Sequence, residues 1–310
     1  MIKSLTLGNR TFPVNLIQGP LAGISAAPFR RLTWEQGRPA FSCTEMISCK
    51  TLIYQTTHTH RRFVWKDPAE GPVCFQLSGH DPQELGLATR IVTDCGADLI
   101  DLNCGCPVKK IRSKGAGSRL LANPGELYHL IRAMKQNTTL PVSVKIRVDG
   151  HSTEKLNAEV ARVVCEAGAD FLVVHGRHWT DDYTTPCHYE DIQFFVENSA
   201  IPVIGNGDVS DAASLKRLFA TGCAGVMISR AGVGQPWLMQ KLIADLTGLP
   251  FKHPTSFEVE QFFRQHVREL AALLNSEKRA LLEARQFVKY YAHHISHNPD
   301  FCAEWLASRK

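Results

Sequence analysis

Three short segments of this 310-residue chain repeat one device: Cys95-Gly96-Ala97-Asp98, Ala167-Gly168-Ala169-Asp170 and Thr221-Gly222-Cys223-Ala224. In each, a glycine closes an amphipathic stretch and an apolar run begins almost at once. Glycine ends helices because it accepts a left-handed backbone that other residues resist, so the chain leaves a helix and enters a strand directly. Leu140-Pro141 and Ile201-Pro202 do the same with proline as the first residue of a strand. On this punctuation the candidate strands are Val14–Gln18, Ala40–Glu45, Val73–Leu77, Asp98–Asn103, Val142–Arg147, Phe171–His175, Pro202–Gly205 and Gly225–Ser229. Eight β/α units in about 245 residues predict an α/β chain folded as a (β/α)8 TIM barrel, for which about 250 residues is typical. An open doubly wound sheet is the rival, but no Gly-x-Gly-x-x-Gly follows the first strand.

The composition changes after Leu249-Pro250. Thr255-x-x-Glu258 reads as a capping box. Val259, Phe262, Phe263, Val267, Leu270, Leu273 and Leu274 then repeat at helical spacing, and a second stripe runs from Leu281 through Ala284, Val288 and Tyr291 to Ile295. The expected division is a barrel over 1–247 and a small helical domain over 248–310. Arg264, Arg268, Lys278, Arg279, Arg285 and Lys289 could give that domain a basic face, or simply solvate its helices.

Hydrophobic content of 44% and charged content of 21% are those of a soluble globular protein. No apolar run approaches the roughly 18 residues of a membrane span. Met1–Phe12 lacks the apolar core of a signal peptide, so a cytoplasmic protein is expected. The ten cysteines include no Cys-x-x-Cys, which suits a reducing compartment and no disulfide framework. His293 and His297 share an i,i+4 spacing without an evident third ligand, so no metal site is expected. A net charge of +5 tolerates a nucleic-acid partner without requiring one. Nothing in the sequence fixes an oligomeric state, and a monomer is the expectation.

In a barrel, chemistry collects where the strands finish. Strand 1 ends in Pro20-Leu21-Ala22-Gly23, with little side chain to keep a flat ligand from the backbone. Later strands end in Gln76, in Asn103 and Cys106, in Lys145 and Arg147, in His175 and Arg177, in Asn206-Gly207-Asp208, and in Ser229-Arg230. Singly, each has a bland reading: Gln76 could satisfy backbone, Lys145 could pair with a carboxylate, Asn206-Gly207 could be a turn. A polar set on nearly every strand end of otherwise apolar strands points to a ligand mouth. The loops after strands 7 and 8 are the usual phosphate site of this fold; Gly207 and Gly232 would expose N–H groups there and Arg230 a matching charge. Lys145 and His175 would set positive charge or donors beside the reactive ring of a cofactor with one phosphate, which suits a reduced flavin. Cys106, between Gly105 and Pro107, is a thiol aimed across the mouth, and a neutral thiol can act as a proton donor.

These residues resemble the tRNA-dihydrouridine synthases, nearest the bacterial B-type branch. The resemblance rests on Pro20-Leu21-Ala22-Gly23-Ile24 with Pro28-Phe29-Arg30, Asp101-Leu102-Asn103-Cys104-Gly105-Cys106-Pro107 with Lys109, and Gly115-Ala116-Gly117 with Leu120-Leu121. It continues through Val144-Lys145-Ile146-Arg147, Val174-His175-Gly176-Arg177, Asn206-Gly207-Asp208 and Met227-Ile228-Ser229-Arg230. It implies FMN reduced by NADPH (or NADH), hydride transfer to C6 of a uracil flipped out of tRNA, and protonation of C5 by Cys106. It further implies Pro20, Leu21, Ala22, Gln76, Lys145, His175, Asn206, Gly207, Asp208, Ser229 and Arg230 as cofactor contacts. Asn103, Arg147 and Arg177 would then face the uracil or the tRNA, with Lys109, Lys110 and Arg112 gripping the strand. The chain departs from the family pattern at Leu21, usually methionine, at Ser229, usually glycine, and in stopping at Lys310, which implies a shortened helical domain. A dihydroorotate-dehydrogenase-like FMN barrel, a Schiff-base aldolase using Lys145, and an RNA-binding module without catalysis are the other readings.

Overall fold

The computed structural model describes residues 1–148 and 154–307. Its strands are β1 (Leu5–Leu7), β2 (Arg10–Phe12), β3 (Leu16–Gln18), β4 (Ser42–Cys43), β5 (Ile47–Ser48) and β6 (Val73–Ser78). They continue with β7 (Leu99–Cys104), β8 (Val142–Val148), β9 (Phe171–His178), β10 (Val203–Asn206) and β11 (Gly225–Ile228). The parallel sheet runs β4-β3-β11-β10-β9-β8-β7-β6-β5, and β4 also pairs with β6, which closes it. Because β4 and β5 lie one after the other along β6, the sheet is an eight-staved TIM barrel. β6 and β7 are buried along their whole length, as strands covered on both faces must be.

The repeated lead-ins explain the closure at the strand starts. Gly96, Gly168 and Gly222 take φ of 87°, 84° and 84° and reverse the chain out of each helix. Asp98 and Asp170 then do a second job. The Asp98 carboxylate accepts the N–H of Val73, first residue of β6, at 2.8 Å, and Asp170 accepts that of Val142, first residue of β8, at 2.7 Å. Each aspartate also holds a lysine, Lys66 or Lys135, at 2.6 Å. Below this rim β1 and β2 form an antiparallel hairpin that the apolar pattern did not reveal, burying Leu5, Leu7 and Phe12.

The expected strand Ala40–Glu45 is broken. Cys43 faces Cys74 and Ile47 faces Leu77, so three residues of one strand oppose two of the other, a β-bulge. There the Thr44 hydroxyl accepts the Gln76 N–H at 3.0 Å in place of a main-chain carbonyl.

Beyond the barrel, helices span Ser256–Leu274, Glu277–Ala284, Val288–Ala292 and Phe301–Ala307. The capping box forms: Glu258 N–H donates to the Thr255 hydroxyl at 3.3 Å, and Thr255 N–H to the Glu258 carboxylate at 2.7 Å. The second apolar stripe is cut into two helices rather than one. His293 and His297 therefore share no helix face, and His297 instead meets Glu260 at 2.8 Å and Ser256 at 2.6 Å. Phe263 sits edge-on against Phe287, Tyr291, Phe301 and Trp305. The same cluster takes in Phe29 and Leu32 from the barrel helix Ala27–Gly37, together with Val233 and Trp237, so its apolar core crosses the 247/248 position. Lys310 lies outside the described residues. Among the described residues, no helix is long and apolar enough to cross a membrane.

His266 lies inside this cluster, stacked on Phe287 at 4.2 Å and within 3.3 Å of the Tyr291 hydroxyl. Burial pushes its imidazole down from 6.5 to about 3. Between those values the unfolded chain binds more protons, so stability from this residue is complete above the unfolded pKa and lost as pH falls. The slope approaches about 1.4 kcal/mol per pH unit. Urea denaturation at about pH 4.5 and about pH 7 should show this loss in the wild type and a smaller one in His266→Phe/Tyr291→Phe.

Candidate active site

A cavity of about 560 Å³ opens at the C-terminal ends of the barrel strands, within the usual range of roughly 300–1,000 Å³ for cofactor sites. Parallel register sets its polar side chains level with one another. Asn103 on β7 pairs with Lys145 on β8, Arg147 on β8 with His175 on β9, and His175 with Asn206 on β10. Pro20, Leu21 and Ala22, after β3, and Ser229 and Arg230, after the neighbouring β11, complete the lining.

The thiol is fixed by a chain of hydrogen bonds that begins deep in the barrel. Asp101 is buried and accepts from the Ser143 hydroxyl at 2.6 Å and from Gln76 Nε2 at 2.7 Å. Gln76 Oε1 accepts from Asn103 Nδ2 at 2.8 Å, and Asn103 Oδ1 accepts the Cys106 N–H at 3.0 Å. The Cys106 carbonyl takes the Ser118 N–H at 3.0 Å. Gly117 makes this approach possible: its φ is 64°, and a Cβ there would stand 2.6 Å from the Cys106 oxygen. Burial raises Asp101 to about 7, against the opposing pull of its two donors and of Lys145.

From the neighbouring strand β8, Lys145 Nζ donates to Asn206 Oδ1 at 2.9 Å, and Asn206 Nδ2 to the Met227 carbonyl at 2.8 Å. Burial lowers Lys145 to about 8. Burial first, and then the charges of Lys145, Arg147, Arg177 and Arg230, hold His175 well below the usual imidazole range. Arg177 Nη1 lies 3.2 Å from His175 Nε2, and since a guanidinium only donates, the neutral imidazole carries its proton on Nδ1.

The arginines hold loop backbone. Arg147 donates to the carbonyls of His178 and Asp181 at 3.0 and 2.8 Å. Arg177 donates to the Thr185 carbonyl at 2.6 Å and to both Asp208 oxygens at 2.6 Å. Asp208, at φ 51°, also faces Arg230 at 3.6 Å, and Arg230 lies 3.8 Å over the ring of Tyr183. Gly232 does not offer its N–H to the cavity; it donates to the Ser229 carbonyl at 3.1 Å.

Thus all the cofactor contacts expected from the sequence, with Asn103, Cys106, Arg147 and Arg177, line one cavity. Lys109, Lys110 and Arg112 do not. They form a short helix beside the mouth, where the two lysines are exposed. Arg112 is turned away from solvent: its guanidinium stacks 3.5 Å over Trp179, and its Nε is buried without a hydrogen-bond partner. Tyr183 and Met46 also line the cavity and were not expected. Both sit on irregular segments, where no strand end marks them.

The residues fit a flat ring with an anionic tail. Lys145 supplies buried positive charge, and Arg230 a second cation among the lining residues. A Cβ on Gly207, at φ 138°, would stand 2.3 Å from Cys187 Sγ, so glycine lets this turn pack against Cys187.

Residues 17–307 match the family described as Dihydrouridine synthase (Dus). The chain belongs to the dihydrouridine synthase family. It is 33% identical to tRNA-dihydrouridine synthase B of Proteus vulgaris over 92% of this chain and 87% of that one. It is 32% identical to the synthase B proteins of Klebsiella pneumoniae and of Escherichia coli K12, each over 96% of this chain, with 91% and 92% of theirs covered. Among solved structures, histamine dehydrogenase from Rhizobium sp. 4-9 superposes with a TM-score of 0.60 at 14% identity, over 78% of this chain and 47% of that longer one, a likeness of fold alone. As a dihydrouridine synthase, the chain is a flavin-dependent oxidoreductase. Ser229, where the family pattern has glycine, packs its hydroxyl with the Met227 side chain against Gly19, 2.4 and 2.9 Å from where a Cβ would stand.

Asp101→Asn exchanges one acceptor for a donor, so Ser143 has to turn from donor to acceptor and its own hydrogen loses the partner it has now. Urea denaturation should register a loss of about 1–3 kcal/mol, as for a buried hydrogen bond left unmade.

Proposed function

We propose that this synthase holds FMN in the barrel cavity and reduces uridines of tRNA to 5,6-dihydrouridine, with NADPH as the reductant. The arrangement that carries this reading is Cys106, its backbone held by Asn103 and Ser118, in one cavity with the buried Lys145 and His175. Gln76, Lys145 and His175 lie against the ring, with Pro20, Leu21 and Ala22 along its edge. Asn206, Gly207, Ser229 and Arg230 hold the phosphate end, and Asp208 orients Arg177 and Arg230. The chemistry supplied by a bound flavin is hydride delivery to C6 of the uracil, replenished by NADPH. Cys106 gives its Sγ proton to C5, completing the reduction of the double bond.

A uridine reaches a barrel mouth only by leaving its stack. Asn103 has its Oδ1 committed to the thiol loop, which leaves an amide hydrogen for the base. Arg147 and Arg177 act on the uracil side through the loop whose carbonyls they hold. Lys109 and Lys110 contact backbone phosphates, a sequence-tolerant grip. The helical region 248–310 is the tRNA-docking domain: Arg268, Lys278, Arg279, Arg285 and Lys289 are exposed on it, while Arg264 is paired with Glu260. A tRNA substrate implies work in the cytoplasm.

Cys106→Ala should stay yellow and accept electrons from NADPH. Its tRNA-dependent reoxidation under anaerobic conditions should slow by about 10²–10⁴-fold, the usual worth of a positioned proton donor. Unchanged reoxidation in the variant would remove Cys106 from the reaction. Wild-type reoxidation indifferent to tRNA would instead point to a free pyrimidine.

A further inference from the structure

The sequence offers no metal motif, yet the fold brings His178, Asp181 and His188 together beside the cavity. One ligand atom from each lies within 4.8 Å of the others, and all three side chains are half-buried. His178 ends β9, Asp181 opens the loop that follows, and His188 caps the helix Tyr189–Asn198. The Asp181 carboxylate is central: its Oδ2 stands 3.9 Å from His178 Nδ1 and 3.9 Å from His188 Nε2. Atoms sharing a tetrahedral zinc ion lie about 3.3 Å apart, so the two contacts need to close by roughly half an ångström.

One further observation selects a metal over a simple ion pair. Each imidazole turns its other nitrogen to a second carboxylate: His178 Nε2 lies 3.4 Å from Asp191, and His188 Nδ1 lies 3.6 Å from Glu190. Such a carboxylate behind a histidine fixes the ring and raises its basicity, which is the usual surrounding of a ligating imidazole. The two rings are also stacked, 5.0 Å apart and 14° from parallel. An imidazole meets an ion in its own ring plane, so one shared ion turns one ring out of this stack.

We propose that His178, Asp181 and His188 bind a divalent transition metal of the zinc type, with Asp191 and Glu190 orienting the two imidazoles. Two nitrogens and one carboxylate oxygen, with a fourth position left to water, suit zinc better than calcium or magnesium, which favour all-oxygen sites. The ion clasps the end of β9 to the start of the following helix. It thereby closes the segment that carries Trp179, Tyr183 and the carbonyls held by Arg147 and Arg177. This clasp stands independently of the reaction proposed above, since it concerns the shape of the loop.

The test uses flavin-loaded full-length enzyme equilibrated with zinc and passed through a desalting column. Retention of about one zinc per chain is expected, falling at least about tenfold in Asp181→Asn and in His188→Gln. His188 is the more exposed, so its variant serves even if Asp181→Asn fails to fold. X-ray absorption at the zinc edge should find nitrogen and oxygen neighbours. Sulfur neighbours would put the ion on the cysteines and overturn the assignment. So would equal retention by the wild type and His188→Gln, or no retention by the wild type.

Discussion

Asp101 is a carboxylate buried inside a barrel, and the placement of the thiol descends from it. Left without partners there it would cost several kcal/mol, so its neighbours are obliged to donate to it. Ser143 and Gln76 do so, at 2.6 and 2.7 Å, from the strands on either side. Once Gln76 has spent its amide on Asp101, its oxygen faces Asn103, and Asn103 in turn has an oxygen free for the Cys106 N–H. A requirement of solvation at the centre of the barrel thereby becomes a geometric constraint at its mouth. Gly117 and Ser118 complete the hold from outside, where a side chain on Gly117 would displace Cys106.

The cavity wall from β8 onward is organised by charge. Burial first, and then the crowding charges of Lys145, Arg147, Arg177 and Arg230, keep His175 neutral. Most of these cations hold protein groups already: Lys145 takes Asn206, Arg177 takes Asp208, and Arg147 takes loop carbonyls. Their mutual repulsion is therefore answered locally, and the loop after β9 gains its path from the same bonds.

The helical region is joined to this site rather than appended to it. Arg62 bridges Glu45 of the barrel and Glu283 of the helical region, and Glu45 also accepts the Gly23 N–H at 3.1 Å. A side chain on Gly23 would stand 2.2 Å from Gln286 Oε1, so the Pro20–Gly23 loop is confined between the two parts. Phe29 and Leu32 lie in the helical core, and Leu21 and Ile24 pack against it.

Strand order and most of the cavity were legible in the sequence. Helix-ending glycines at φ near the left-handed region recur at Gly96, Gly168 and Gly222, and the parallel strands they introduce all point one way. Residues at those strand ends, such as Gln76, Asn103, Lys145 and His175, have no choice but to meet. What the tertiary structure alone decided lies off that periodicity. Arg112 found Trp179, His178 found Asp181 and His188, Thr44 broke a strand by taking the Gln76 N–H, and the second helical stripe divided in two. Those outcomes depend on the path of loops and on which distant partner can satisfy a buried donor or charge. Neither quantity is carried by local spacing.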